Sequence, residues 1–227
     1  MKIIMRNFIK KITHPFLKYG LKLYYYKPRK YCYEDICIKV HPDVFPPHLT
    51  LSTKILLDFI KLIDLKNKTF LELGCGSGII SCFAAKKGAI VFASDINDKA
   101  IDFLNKNSTK NNLSIMTISS DLFDNIEPIN FDYIIINPPY YSKKPKNIKE
   151  QAWFCGENFE YFKKLFYQLN SKVEFQNVFM ILSEDCKIEK IKEIGLQNNL
   201  SFEVLKSKTV FEEKNYIYSL KKRIKNI

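Results

Sequence analysis

The sequence predicts an α/β fold with a mostly parallel seven-stranded sheet, helices on both faces and an antiparallel edge. Three observations predict it. From residue 69 onward, short apolar runs alternate with stretches of helical period. A glycine-rich loop, GCGSG (74–78), sits between the first such run and the first such helix. The chain closes on two strand-like runs with no helix between them.

The elements follow in order. TFLEL (69–73) reads as a short buried strand, and IISCFAAKKG (79–88) as a helix ended by Gly88. AIVFASD (89–95) is a second strand, and Asn97 or Asp98 caps a helix running to about Lys110. LSIMTIS (113–119), FDYIIIN (131–137) and NVFMILS (177–183) are three further strands. Helices are expected over Phe159–Leu169 and around Ile188–Asn198. LSFEVLKSKTVF (200–211) and NYIYSL (215–220) form the closing pair.

The first part of the chain reads differently. No acidic residue precedes Glu34, whereas Lys2, Arg6, Lys10, Lys11, Lys18, Lys22, Lys27, Arg29 and Lys30 all do. Ile4, Phe8 and Ile12 share one helical face, and a second helical stretch runs from Phe16 towards Tyr26. KYCYEDICIKV (30–40) alternates around Glu34-Asp35 like a short hairpin. VFPPHLTLS (44–52) is a rigid loop, and Thr53–Ile63 has a helical pattern. We therefore expect a basic extension over residues 1–47 and an α/β body over 48–227.

The net charge of +12 favours an anionic partner, and YYYKPRKY (24–31) interleaves aromatics with cations as single-strand binders do. The six cysteines form no C-x-x-C pair and fit free thiols in a reducing compartment. Cys32-x4-Cys37-x3-His41 falls short of a structural zinc pattern, so no metal site is expected. No apolar run has the length of a membrane span, and no signal-peptide pattern stands at the start. A cytoplasmic protein is the expectation.

Two motifs carry chemistry. LELGCGSG (71–78) places Glu72 two positions before Gly74, followed by Gly76 and Gly78. Glycines allow a tight turn and close approach of a ligand to the backbone. Asp95 ends the second strand, with Ile96 next, where a carboxylate can accept from two vicinal hydroxyls, and Asp121-Leu122 follows the third. A dehydrogenase shares an acid like Asp95 but not the second motif, Asn137-Pro138-Pro139-Tyr140, which ends the fourth strand. That motif supplies acceptors in place of donors. An amide or aromatic amino nitrogen has a delocalised lone pair and two N–H donors. The Asn137 side-chain carbonyl and the Pro138 backbone carbonyl can accept both. Pro138 and Pro139 stiffen the backbone, and Tyr140 can stack on a planar group.

The spacing E-x-G-x-G-x-G with Asp95 and NPPY resembles the Rossmann-like S-adenosylmethionine-dependent methyltransferases, in particular those that methylate a planar nitrogen. The resemblance implies cofactor contacts from Glu72, Gly74, Cys75, Gly76, Gly78, Asp95 (ribose), Ile96, Asp121, Leu122 (adenine) and Asn137. FPPHLTLSTKILLDFI (45–60) and AWFCGENFEYFKKLF (152–166) are further similar to HemK-type enzymes, which methylate the glutamine amide of release factors. That likeness spans roughly residues 44–185. It implies Thr53 near the methionine part of the cofactor, and Trp153 and Gly156 in a substrate-side wall. Cys155-Gly156 replaces the family's usual Gly-Gly, and residues 1–43 are unlike its helical substrate domain. Related small methyltransferase domains act on adenine N6 or guanine N2 of ribosomal or transfer RNA. The expected partner is thus a release-factor-like protein or an RNA, with ribosome or RNA contact through the basic arm. A non-catalytic RNA- or ribosome-binding protein on the same fold is the other alternative.

Overall fold

The computed structural model describes residues 26–48, 50–210 and 212–223. The helical segments expected over residues 1–25 lie outside the described residues. The expected hairpin is present: β1 (Arg29–Tyr33) pairs antiparallel with β2 (Ile36–Val40) around Glu34-Asp35. Period-two alternation buries Ile36, Ile38 and Val40, which join the same core as the helices that follow. An amide clamp anchors the hairpin: Lys39 N–H donates to Asn107 Oδ1 and Asn107 Nδ2 donates to Lys39 O, both at 2.8 Å.

Cys32 and Cys37 face each other in this register and form a disulfide, with Cα atoms 4.2 Å apart. The expectation of free thiols fails at this pair. A tight turn sets the two residues opposite each other, at the short Cα separation of a non-hydrogen-bonded cross-strand pair. Cys75, Cys82, Cys155 and Cys186 carry free thiols.

The first helix of the described residues, α1 (Leu51–Ile60), begins two residues before the expected start and buries Ile55, Leu56, Leu57 and Ile60. The body then alternates as predicted through β3 (Thr69–Leu73), α2 (Ile79–Lys86), β4 (Ile90–Asp95), α3 (Asp98–Lys110), β5 (Ile115–Ser119) and β6 (Phe131–Ile136). A one-turn helix α4 (Ile148–Gln151) follows, then α5 (Glu160–Ser171), β7 (Phe175–Ser183), α6 (Ile188–Gln197), β8 (Leu200–Val210) and β9 (Glu213–Lys222). Asn97 caps α3 by accepting from Lys99 N–H. Phe159, expected as the first helical residue, instead has φ +61 and precedes α5.

The sheet has seven strands in the order β5-β4-β3-β6-β7-β9-β8. The first five of these pair in parallel, and β9 runs antiparallel to both β7 and β8. The antiparallel strand thus lies one in from the edge that β8 forms. Leu71, Leu73, Ile134 and Ile136 point to one apolar layer under α5 and α6, and Phe70 and Ile135 to the other under α1 to α3. From β3 the chain moves outward through β4 and β5, then returns to place β6 on the other side of β3. In open α/β sheets, ligands bind at such a switch point, beyond the carboxyl ends of the strands.

Candidate active site

The switch point brings the two motifs together. Leu73 and Ile136 are register partners on adjacent parallel strands. The glycine loop leaves β3 just where Asn137 leaves β6. Gly74, Gly76 and Gly78 all have positive φ (+78, +49 and +74). The Gly74 and Cys75 N–H groups donate to Ser94 O at 2.9 and 2.8 Å, which ties the loop to the end of β4. A Cβ on Gly74 would meet nothing within 4 Å, so its backbone lies bare to the cavity it lines. A Cβ on Gly78 would come within 2.4 Å of Leu104 Cδ1. Gly78 is not among the lining residues; it caps α2 and lets that helix sit against α3.

Two carboxyls stand below the loop, Glu72 buried and Asp95 part-buried. Asp95 receives Gly76 N–H at 2.7 Å on Oδ2 and Asn97 N–H at 2.9 Å on Oδ1. Burial raises its pKa, and the backbone donors oppose that rise. Glu72 receives the Ser81 N–H at 2.8 Å and the Ser81 hydroxyl, both on Oε2. Burial pushes Glu72 up to about 8, against those hydrogen bonds and with a small push from Asp95. Both acids line the cavity.

Thr53, in the first turn of α1, lines the same cavity with Cys75, Ile96, Asp121, Leu122, Asn137 and Pro139. A smaller slot opens beside it, walled by Phe45, Trp153, Pro138, Pro139 and Tyr140. Phe45, Asn137, Pro139 and Ala152 line both spaces and so mark their junction. The Phe45 and Trp153 ring centroids are 4.9 Å apart, as are those of Tyr140 and Tyr141. Burial keeps the Tyr140 phenol protonated far above its ordinary range, so it offers stacking area and not a base. The structure parts Trp153 from Gly156. Gly156 lines a second cavity that shares Ile96, Asp121, Leu122, Gln151 and Tyr161 with the first. Together the two cavities make one long cleft, with Asn137 towards one end and Gly156 towards the other.

Several lining residues were not legible as site residues. Phe45, Ser77 and Ser120 sit in loops without periodicity, and Phe45 and Tyr161 lie in the two segments similar to HemK-type enzymes without being singled out there. Gln151 and Ala152 arrive through α4 and a flap closed by a bridge between Tyr141 and Phe154. The one available signal was position: Ser77 lies between Gly76 and Gly78, and Ser120 directly before Asp121. Among the described residues, no group of His, Cys, Asp and Glu is arranged to hold a metal ion. None of their helices is long and apolar enough to cross a membrane.

Known proteins give this cleft a context. Residues 35–155 match the methyltransferase small domain. A Methanocaldococcus jannaschii protein, provisionally named a protein N5-glutamine methyltransferase, is 34% identical over 191 residues, covering 79% of this chain and 93% of that protein. A release factor glutamine methyltransferase of Flavobacterium psychrophilum is 39% identical over 90 residues, 38% of this chain and 31% of that protein. Two solved structures share the fold. One is a chain of the E. cuniculi Mtq2–Trm112 complex, described as responsible for methylating the termination factor eRF1. It aligns with a TM-score of 0.60 at 20% identity, over 79% of this chain and 99% of that one. The other is the T. thermophilus 16S rRNA N2 G1207 methyltransferase bound to AdoMet and guanosine, with a TM-score of 0.61 at 18% identity, over 86% of this chain and 50% of that one. The family match over residues 35–155 and the M. jannaschii relative agree with the cleft in which the glycine loop, Glu72, Asp95 and the Asn-Pro-Pro-Tyr turn meet: the chain belongs to the small-domain family of methyltransferases.

Proposed function

We propose that this protein transfers a methyl group from S-adenosylmethionine to the side-chain amide nitrogen of a glutamine in a release-factor-like protein. The observation that carries this reading is the junction at Asn137 and Pro139, shared by the long cleft and the aromatic-walled slot. The cleft suits the cofactor. The loop backbone is open at Gly74, the Asp95 carboxylate suits a ribose diol, and Ile96 and Leu122 offer apolar faces at the Asp121 end. Bound there, the cofactor supplies an electrophilic sulfonium methyl.

The chain's own residues then have only to position the nitrogen. The Asn137 side-chain carbonyl and the Pro138 carbonyl accept its two N–H groups and aim its lone pair at the methyl. With the cofactor held by the glycine loop and Asp95, its methyl would pass to the amide nitrogen, its sulfur would keep the electron pair of the broken S–C bond, and the displaced N–H proton would pass to water. Phe45, Tyr140 and Trp153 hold the planar amide between rings. The M. jannaschii relative's name and coverage favour glutamine over a base. The second reading is a ribosomal or transfer RNA base, favoured by the basic stretch before Glu34, which also suits contact with the ribosome from either acceptor. Either acceptor fits an enzyme that works in the cytoplasm.

Calorimetry with S-adenosylmethionine tests the cofactor. Absence of binding at millimolar concentration leaves only the non-catalytic binding protein. The variant Asn137→Ala tests the chemistry, with turnover expected to fall by about 100-fold or more and cofactor affinity to stay within about threefold. Undiminished turnover removes Asn137 from the mechanism.

A further inference from the structure

The inward face of α5 is apolar, built from Phe162, Leu165, Phe166 and Leu169. Gln168 interrupts it and is only 2% exposed. A buried amide must find partners or destabilise the fold. Gln168 finds them outside its helix. Its Oε1 accepts Phe123 N–H at 3.1 Å, and its Nε2 donates to Asp124 Oδ1 at 2.7 Å.

Both partners lie in the loop after β5, directly following Asp121 and Leu122 of the cleft wall. Leu122 has φ +55, a left-handed conformation that strains a branched side chain. Such a conformation persists only where the surroundings over-determine it. Here they act from both sides. Ser120 Oγ donates to Leu122 O at 2.8 Å and accepts Asn125 N–H at 3.0 Å. Gln168 holds the next N–H along, that of Phe123. Lys164, one turn earlier on α5, donates to Asp121 and Asp124, each at 2.6 Å.

We propose that Gln168 is a positioning residue for the cofactor. It holds Leu122 in its strained conformation, so that the Asp121–Leu122 wall is formed before the cofactor arrives. The inference rests on the S-adenosylmethionine reading of the cleft. Without the amide, the Phe123 N–H loses its partner and the loop relaxes, and binding must then reorder it. Methyl transfer at Asn137, away from this wall, is unaffected once the cofactor is bound.

Gln168→Met fills a similar volume without the amide. Wild type and variant are titrated with S-adenosylmethionine and with methylthioadenosine, alongside thermal melting and initial rates. The expected result is about tenfold weaker binding of both, an equal rise in KM for S-adenosylmethionine, and a kcat within about twofold of wild type. A variant that melts cooperatively and binds as tightly as wild type overturns the inference. A fall in kcat with KM unchanged overturns it equally. Should Gln168→Met not melt cooperatively, Asp124→Ala removes the outer partner of the same amide, with about threefold weaker binding expected; unchanged binding overturns the proposal. A wild type that binds no S-adenosylmethionine overturns the cofactor reading itself, and the inference falls with it.

Discussion

Glu72 makes this fold's stability depend on pH in an unusual direction. The carboxyl is buried and its pKa stands at about 8 in the folded protein, against an ordinary 4.5. The folded state therefore keeps a proton that the unfolded chain releases above pH 4.5. This contribution is fully present below the unfolded pKa and is lost as pH rises towards the folded one. While the two states differ by one proton, stability falls by about 1.4 kcal/mol per pH unit, or about 2–3 kcal/mol between pH 5 and pH 7. Glu72→Gln keeps an acceptor for Ser81 and has no proton to release. Urea unfolding of wild type and variant at pH 5, 6 and 7, followed by circular dichroism, isolates this site, because other titrating groups are common to both. The wild type is expected to lose about 2–3 kcal/mol relative to the variant across that range. A difference that stays constant with pH refutes the placement of Glu72 as a buried, protonated acid.

Other perturbations have clear signs. Gly78→Ala puts a methyl 2.4 Å from Leu104 Cδ1 at φ +74, and a loss of about 2–4 kcal/mol is expected in denaturant unfolding. Asp95→Ala removes the acceptor of the Gly76 and Asn97 N–H groups, and calorimetry should show about 100-fold weaker S-adenosylmethionine binding. Reducing the Cys32–Cys37 disulfide frees a short loop, and the unfolding free energy should fall by about 2 kcal/mol, with the Cys32→Ser, Cys37→Ser double variant insensitive to reductant.

What could be read from the sequence follows from where periodicity survives. In the body, strands buried on both faces show as apolar runs and helices as 3.6-residue patterns. The alternation from Thr69 to Ile194 accordingly fixed the fold, and strand adjacency then fixed the site. Glu72, Asp95, Asp121 and Asn137 were legible because each stands at or just beyond a strand's carboxyl end, where only local position matters. The flap over residues 141–151 was not legible, and the stretch after it showed only as a family likeness. Its single turn, α4, buries no residue, and a backbone bridge between Tyr141 and Phe154 holds it in place, so it leaves no hydrophobic pattern. The parting of Gly156 from Trp153 was hidden for the same reason. The Cys32–Cys37 bond was within reach. The hairpin register around Glu34-Asp35 places the two cysteines face to face, and free thiols were expected from composition where pairing geometry decides.

Methyl transfer from S-adenosylmethionine to a glutamine amide is open to a direct test. The most direct measurement incubates the purified protein and methyl-labelled S-adenosylmethionine with cell extract, then treats separate portions with protease and with ribonuclease. Complete protein digestion followed by amino-acid separation identifies the labelled product. Protease-sensitive label recovered as N5-methylglutamine is the expected result. Label that is lost on ribonuclease treatment and recovered as a methylated base contradicts it.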